Sequence, residues 1–288
     1  MTATGLKKVL VTGLNSYIGT SFIKWVENHY ESQSILVETI DMKGEGWREK
    51  DLSVYDVVYH VAGIAHIKET TLNASLYFKV NRDLTIELAQ KAKKSGVKQF
   101  IFLSSMSVYG IENGKISRGT VPNPQSSYGI SKLQAEEQIM KLQDNEFKVT
   151  IVRPPMVYGE NCKGNYTKLA KLAMKLPIFP NVDNKRSMIY IDNLSEYIFH
   201  LINDNASGIF LPQNTEYVNT SEMVKLIAEA NGKKVKFIKV FNFLIKISKN
   251  KIKTINKLFG SLIYEPIDIF EYSIKDFKKT IYFTERGK

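Results

Sequence analysis

The sequence predicts an α/β fold: a doubly wound parallel sheet with a smaller C-terminal lobe. Short β-branched apolar runs alternate with longer amphipathic stretches through the first half of the chain, the pattern of strands buried on both faces by helices. A glycine turn, Gly13 to Gly19, separates the first apolar run from the first amphipathic stretch. At 288 residues and 43% hydrophobic content the chain can bury a sizeable core.

Val9 to Val11 lies within the first expected strand, 8–12, and the amphipathic stretch 17–30 reads as a helix. Strand, glycine turn and helix together lay a pyrophosphate on a helix N-terminus. Gly13 suits the tight turn and Gly19 close helix–strand packing. Ser16 stands where the usual pattern has its middle glycine. Its N–H and hydroxyl are expected to face the phosphate, with a narrower approach. The alternative is an ordinary loop with two glycines. The second strand, 34–40, ends at Asp41. An acidic residue about 20 positions after the glycines bonds the adenosine ribose, which points to NAD(H). Lys43 offers the alternative, NADP(H) through its 2′-phosphate, and a plain turn residue at Asp41 is the bland one. Strands are expected near 56–62, 98–104 and 148–153, with helices at 74–95 and 127–144. The dinucleotide domain is expected at 1–153 and 187–205, and the lobe at 154–186 and 206–288, closing over the strand ends.

Tyr128 and Lys132 stand four residues apart in SSYGISK, and Ser105 lies upstream in FLSSMSVYG. Helical positions i and i+4 share a face. A free phenol has a pKa of about 10 and is a poor base at neutral pH. A nearby ammonium favours phenolate, so Lys132 is expected to bring Tyr128 toward the working range. The Ser105 hydroxyl would hold the oxygen whose proton Tyr128 exchanges. Alone, such a spacing reads first as a surface tyrosine and a solvated lysine; the glycine turn upstream overturns that in favour of chemistry.

VTGLNSYIG, DVVYHVAG, an Asn81-bearing helix, KQFIFLSSMSVYG, SSYGISK, VRPPMVYG and RSMIYIDNLSEYI follow in order. As a set they resemble the extended short-chain dehydrogenase/reductase superfamily, in its NAD-dependent nucleotide-sugar epimerase/dehydratase branch. LPIFPNVDNKRSMIYIDNL and KLFGSLIY look closest to capsule and O-antigen proteins that reduce UDP-4-keto-6-deoxy-N-acetylhexosamines. The resemblance implies a Rossmann-type domain, a catalytic Ser105, Tyr128 as acid/base and Lys132 as its partner. It implies cofactor binding by Gly13, Asn15, Ser16, Tyr17, Ile18 and Asp41, by Ala62, Gly63 and Asn81, and by Tyr128, Lys132 and Pro155. Substrate binding is implied for Ser105, Met106, Tyr128, Gly164, Asn165 and Arg186, the last suiting a diphosphate through its fixed fork of donors. A homodimer through the helices 74–95 and 127–144 is also implied.

The departures narrow the activity. Met106 and Ser107 occupy positions where sugar dehydratases carry an acidic pair, which argues against water elimination. Met156 replaces an asparagine common in UDP-galactose-type epimerases. The stretch between Asp41 and Asp56 is short, holds Gly44, Gly46 and Trp47, and gives Asp51 no clear adenine role. The leading expectation is reduction of a UDP-linked 4-keto sugar in surface-polysaccharide synthesis. The alternatives are a UDP-hexose 4-epimerase with retained NAD and a non-catalytic nicotinamide-binding regulator. An intact Ser105, Tyr128 and Lys132 argues against the regulator.

Composition excludes other classes. Cys162 is the sole cysteine, so no internal disulfide or cysteine metal cluster is expected. His29, His60, His66 and His200 lack ligand spacing, and no metal is expected. His60 is expected to pack at the sheet; His66 could edge the pocket, though a structural place is preferred. The early first strand leaves no room for a signal peptide, and no apolar run approaches the roughly 18 residues of a membrane span. A cytoplasmic location is expected. The net charge of +11 concentrates between Lys233 and Lys257. Read as a helix, Lys246, Lys249, Lys253 and Lys257 form a stripe opposite Leu244, Ile252, Ile255, Phe259 and Leu262. For 241–262 a lobe helix with an inward apolar face is preferred over peripheral membrane contact. Nucleic-acid binding has no motif behind the charge.

Overall fold

The structure, a computed structural model, describes residues 6–29, 34–65, 67, 69–70, 72–240, 242, 256, 258–266 and 270–287. His66 and most of the basic segment 241–262 lie outside the described residues. In chain order the first elements are β1 (Lys7–Thr12), α1 (Tyr17–Asn28), β2 (Ile35–Ile40), α2 (Gly46–Glu49), β3 (Val57–His60) and α3 (Ala74–Tyr77). A π-helical turn (Phe78–Asp83), α4 (Leu84–Lys94), β4 (Gln99–Leu103), a 3-10 turn (Met106–Tyr109), β5 (Gly114–Ile116), α5 (Ser127–Met140) and β6 (Lys148–Val152) follow. Then come β7 (Met156–Tyr158), α6 (Asn165–Lys175), β8 (Ile178–Pro180), β9 (Met188–Tyr190), α7 (Ile191–Asn203) and β10 (Gly208–Phe210). The described elements end with α8 (Thr220–Ala230), β11 (Lys236–Ile238), β12 (Leu262–Tyr264) and α9 (Phe277–Arg286).

The chain divides into two compact units. The first, Met1–Gly110, Pro122–Pro154 and Leu194–Pro212, carries a six-stranded sheet ordered β10-β6-β4-β3-β1-β2. Every pairing in it is parallel, and all five expected strands are in it. Its strands read as continuous apolar runs because both faces are covered. On one face Leu10, Val58, Phe100, Phe102 and Ile151 pack in one core with Leu88, Ala92, Ala135 and Ile139 of α4 and α5. On the other, Phe22 of α1 meets Tyr59 edge-on at 5.4 Å, and Trp25 meets Phe199 of α7 at 5.4 Å. The strand order reverses between β1 and β3, which makes their C-terminal ends the switch point where such sheets bind ligands.

Two expected helices differ in detail. The helix expected at 74–95 is interrupted by the π-helical turn. The helix expected to reach 144 ends at Met140. Asp144 Oδ1 accepts the N–H groups of Glu146 and Phe147, which turns the chain into β6. The connection from β2 to β3 holds only the single turn α2, anchored by Trp47, Leu52 and Tyr55, all buried.

The second unit comprises Ile111–Val121, Pro155–Asn193 and Gln213–Lys288. It contains three short parallel strand pairs, β11 with β8, β12 with β5 and β7 with β9, and α8 packs against α6 and α9. Tyr158 anchors it: its hydroxyl meets Thr280 at 2.8 Å and accepts from Asn214 at 2.9 Å. Besides Pro154, which falls in the first unit, three stretches lie on the other side of this division from the one expected. Residues 111–121 join the second unit because β5 pairs with β12. Residues 187–193 join it because β9 pairs with β7. Residues 206–212 join the first because β10 extends the sheet beside β6.

Candidate active site

Gly13 leaves β1 at a φ of +84°, and a Cβ there would lie 3.1 Å from the Ala62 Cα. Only glycine allows this turn and this approach of the chain after β1 to the chain after β3. Gly19 has the packing role expected of it: a Cβ would sit 3.2 Å from both Val11 and Val61. Asn15 holds a positive φ of 63°, and α1 starts two residues later with Tyr17 and Ile18 in its first turn. Ser16 departs from expectation. Its N–H closes the turn onto Gly13 O at 2.9 Å, and its hydroxyl accepts the Gly19 N–H at 3.1 Å as the N-cap of α1. Both groups serve the loop itself, because a serine at an N-cap satisfies an otherwise orphaned helix donor. A cleft of about 450 Å³, lined by Gly13, Leu14, Asn15 and Thr39 among others, opens at this turn. Asp41 is exposed at the end of β2, and one of its oxygens accepts the Lys43 N–H at 3.0 Å. Turn, helix N-terminus and terminal acid together fit a dinucleotide.

The chain beyond β3 is fixed from beneath. Asn81, fully buried in the π-helical turn, accepts the Ile64 N–H at 2.9 Å and donates to Ile64 O at 3.0 Å. A Cβ at Gly63 would lie 2.9 Å from Asn81 Oδ1 and 3.4 Å from Lys132 Nζ, so Gly63 sits close to both. Asn81 thereby clamps the backbone that follows Gly63. His60 is a structural residue, as expected. Thr85 donates its hydroxyl to Asn81 O, so His60 Nε2–H must donate to Thr85, and Nδ1 accepts from Thr12, whose oxygen in turn accepts the Ala62 N–H. Burial, with the Lys132 charge second, lowers its pKa to about 3, so the ring is neutral.

Ser105 follows β4 by two residues as the N-cap of the 3-10 turn, accepting the Ser107 N–H at 3.1 Å, with Met106 half-buried beside it. Tyr128 lies in the first turn of α5 with its ring edge-on to Tyr77 at 6.3 Å. Burial pushes the Tyr128 phenol above its ordinary value, and the hydrogen bond with Ser105 draws it part of the way back. The expected depression by Lys132 is not what governs the phenol. The Lys132 ammonium donates instead to Leu103 O at 2.8 Å and lies 4.5 Å over the Phe102 ring. Burial lowers its pKa to about 7, opposed by the Glu136 carboxylate.

Glu136 was not anticipated. It follows Lys132 by another four residues and shares its face of α5. Arg153 Nε donates to both its oxygens at 3.1 Å, Ser104 donates its hydroxyl to it, and Arg153 also donates to Tyr109 at 2.8 Å.

The remaining expected residues belong to the second unit. Pro155 is buried just before β7, Gly164 takes a φ of +100° ahead of α6, and Asn165 is exposed in the first turn of that helix. Arg186 donates to Gly260 O at 2.9 Å; burial lowers its pKa, opposed by Glu112. Among the described residues no cluster suits a metal ion, and no helix is long and apolar enough to cross a membrane.

A dinucleotide turn at the switch point and a serine–tyrosine pair beside a buried lysine, carried by the same sheet, make up a short-chain dehydrogenase/reductase. The chain is an NAD(P)-dependent enzyme of that class. Residues 9–211 match the model of the NAD dependent epimerase/dehydratase family, and the protein belongs to it. It is 33% identical to a UDP-glucose 4-epimerase of Vibrio cholerae over 79% of this chain and 76% of that one. It is 28% identical to the N-acetyl-alpha-D-glucosaminyl-diphospho-ditrans,octacis-undecaprenol 4-epimerase of Escherichia coli O157:H7, over 79% and 73%. The fold matches that of a UDP-glucuronic acid 4-epimerase from Bacillus cereus with a TM-score of 0.74, at 18% identity and over 97% and 98% of the two chains.

Proposed function

We propose that this enzyme performs oxidoreduction at C4 of a UDP-linked sugar. Its direction in this reading is reduction of a UDP-4-keto-6-deoxy-N-acetylhexosamine for surface-polysaccharide synthesis. The observation that carries it is the buried Lys132 ammonium donating to Leu103 O at 2.8 Å, two residues before Ser105, with Tyr128 one turn earlier on the same face of α5. When bound, the nicotinamide supplies the hydride. Tyr128 gives its proton to the C4 oxygen, which Ser105 holds. The Lys132 ammonium offsets the charge left on the phenolate. Gly164, Asn165 and Arg186 are the residues assigned to the nucleotide sugar, Arg186 through its diphosphate.

Met106 and Ser107 offer no carboxylate for water elimination. The short β2–β3 connection, with the single turn α2, supplies few groups for an adenosine. That favours a dinucleotide that exchanges at each turnover, as a reductase needs, with NAD(H) read from Asp41. A UDP-hexose 4-epimerase with retained NAD is the second reading, favoured by the identity to the Vibrio cholerae relative.

The test supplies UDP-4-keto-6-deoxy-GlcNAc with NADH or NADPH, and separately UDP-glucose, UDP-GlcNAc or undecaprenyl-diphospho-GlcNAc without added cofactor. One reduced cofactor consumed per sugar reduced is expected, and Tyr128→Phe should lose at least about 100-fold in turnover. Cofactor-free epimerisation with copurifying NAD replaces the reductase by the epimerase. Near-normal turnover in Tyr128→Phe removes Tyr128 from the chemistry.

A further inference from the structure

The Glu136–Arg153 pair is the most buried ion pair among the described residues, its side chains 3% and 6% exposed. Nothing in the proton-handling set requires it. Its partners show what it does. Leu103, Ser104 and Ser105 are consecutive residues where β4 ends. The Leu103 carbonyl is held by Lys132 and the Ser104 hydroxyl by Glu136, both on α5. Arg153, at the end of β6, grips Glu136 and also the hydroxyl of Tyr109, which closes the 3-10 turn that Ser105 caps. The guanidinium lies 5.0 Å over the Tyr109 ring as well. Ser105 is thus bracketed, one residue before and four after, by groups tied to the pair.

We propose that Glu136 and Arg153 are positioning residues that lock Ser105 against the Tyr128–Lys132 face of α5. The inference rests on the reading of Ser105, Tyr128 and Lys132 given above. Glu136 follows Lys132 by four residues on the same face of α5, so its charge also acts on the lysine, while His60 on β3, the other titratable group coupled to it, is neutral. Glu136 is the only one whose charge raises the lysine against the effect of burial.

Two measurements on the full chain test it. The first titrates Lys132 without substrate by the NMR shift of its labelled ε-carbon, assigned through Lys132→Arg. Glu136→Gln should lower the midpoint by about one unit, and Glu136→Asp should return most of it. The second is turnover of the 4-keto sugar. Glu136→Gln should lower kcat at least about tenfold through misplacement of Ser105, with KM little changed and the alkaline limb of the pH profile moved down. An unmoved midpoint or an unmoved kcat in the folded variant overturns the proposal. If Glu136→Gln does not fold, the double variant Glu136→Gln/Arg153→Met removes both charges together, and the same two readings decide. Active Tyr128→Phe would sink the underlying assignment while the Lys132 midpoint still reports on Glu136. Inactive Tyr128→Phe beside an unaffected Glu136→Gln would sink only the positioning role.

Discussion

Arg153 and Arg48 each fork onto a glutamate within the sheet-bearing unit. Arg153 meets Glu136 with side chains 6% and 3% exposed; Arg48 meets Glu87 with side chains 37% and 45% exposed. Both forks are supported by an aromatic ring, Tyr109 under Arg153 and Trp47 beside Arg48. The chemistry is the same and the surroundings are opposite. Beneath α5, every donor that leaves strands another charge in the interior. On the β2–β3 connection, water takes the place of any partner that leaves. The first region fixes geometry, and the second can be altered without disturbing the fold.

Breaking both forks measures that difference. Arg153→Met should reduce unfolding free energy by about 3–5 kcal/mol, because it leaves Glu136 buried and uncompensated. Arg48→Met should leave the urea midpoint unmoved. Equal midpoints for the two variants would mean that burial does not separate the forks.

A pH series sharpens the same contrast. His60 titrates near 3 in the folded chain, against about 6.5 in an unfolded one. As pH falls the unfolded chain binds that proton first, so this contribution to stability is complete above about 6.5 and is lost progressively toward about 3. Beside the β2–β3 connection, Glu38 of β2 and Glu87 of α4 are held below the usual carboxylate range by Tyr55 and Arg48 respectively. Their contributions are screened and persist to lower pH, since a depressed carboxylate loses its effect only as pH falls through its own range. Stability should therefore begin to fall below about pH 6.5, and His60→Gln should flatten that first part of the decline. An unchanged slope in His60→Gln would assign the decline to carboxylates.

The smallest effect is expected at Asp41. Exposed and engaged in its own turn, it should set cofactor preference and not stability. Asp41→Ala should raise the NADPH-to-NADH ratio of kcat/KM severalfold with an unchanged melting temperature. A native enzyme that already prefers NADPH would transfer the role to Lys43.

What the sequence disclosed follows from how local each feature is. Gly13, Gly19 and the Tyr128–Lys132 spacing are short-range patterns, and the central strands are apolar runs, so both were legible. Glu136 continued a visible spacing, but Arg153 lies 17 residues further on and reaches it only through the tertiary fold. The hold of Leu103 on Lys132 was hidden for the same reason, and with it the balance that leaves the Tyr128 phenol high. The helix-capping part of Ser16 was not read from the sequence, because a residue standing in a glycine's place was weighed only against the ligand. In the second unit, β5 and β12 are three residues each. They come together across long separations, as when Asn113 accepts from Ser261, 148 residues away. Segments so short carry no periodicity to read.

The π-helical turn from Phe78 to Asp83 bears on how this chain can change length. Such turns behave as one extra residue housed within an α-helix. Removing one residue there would restore ordinary winding and rotate the Ala74–Tyr77 end by about 100° relative to α4, the angle one residue subtends at 3.6 per turn. Tyr77 would then swing away from its edge-on place against Tyr128, and Asn81 would leave the Ile64 backbone it clamps. A single-residue deletion inside 78–83 would thus separate the loop after β3 from Tyr128 while α4 stayed packed on α5. Deletions of that length should be absent from working descendants of this gene, even though the same loss in an exposed loop would pass unnoticed.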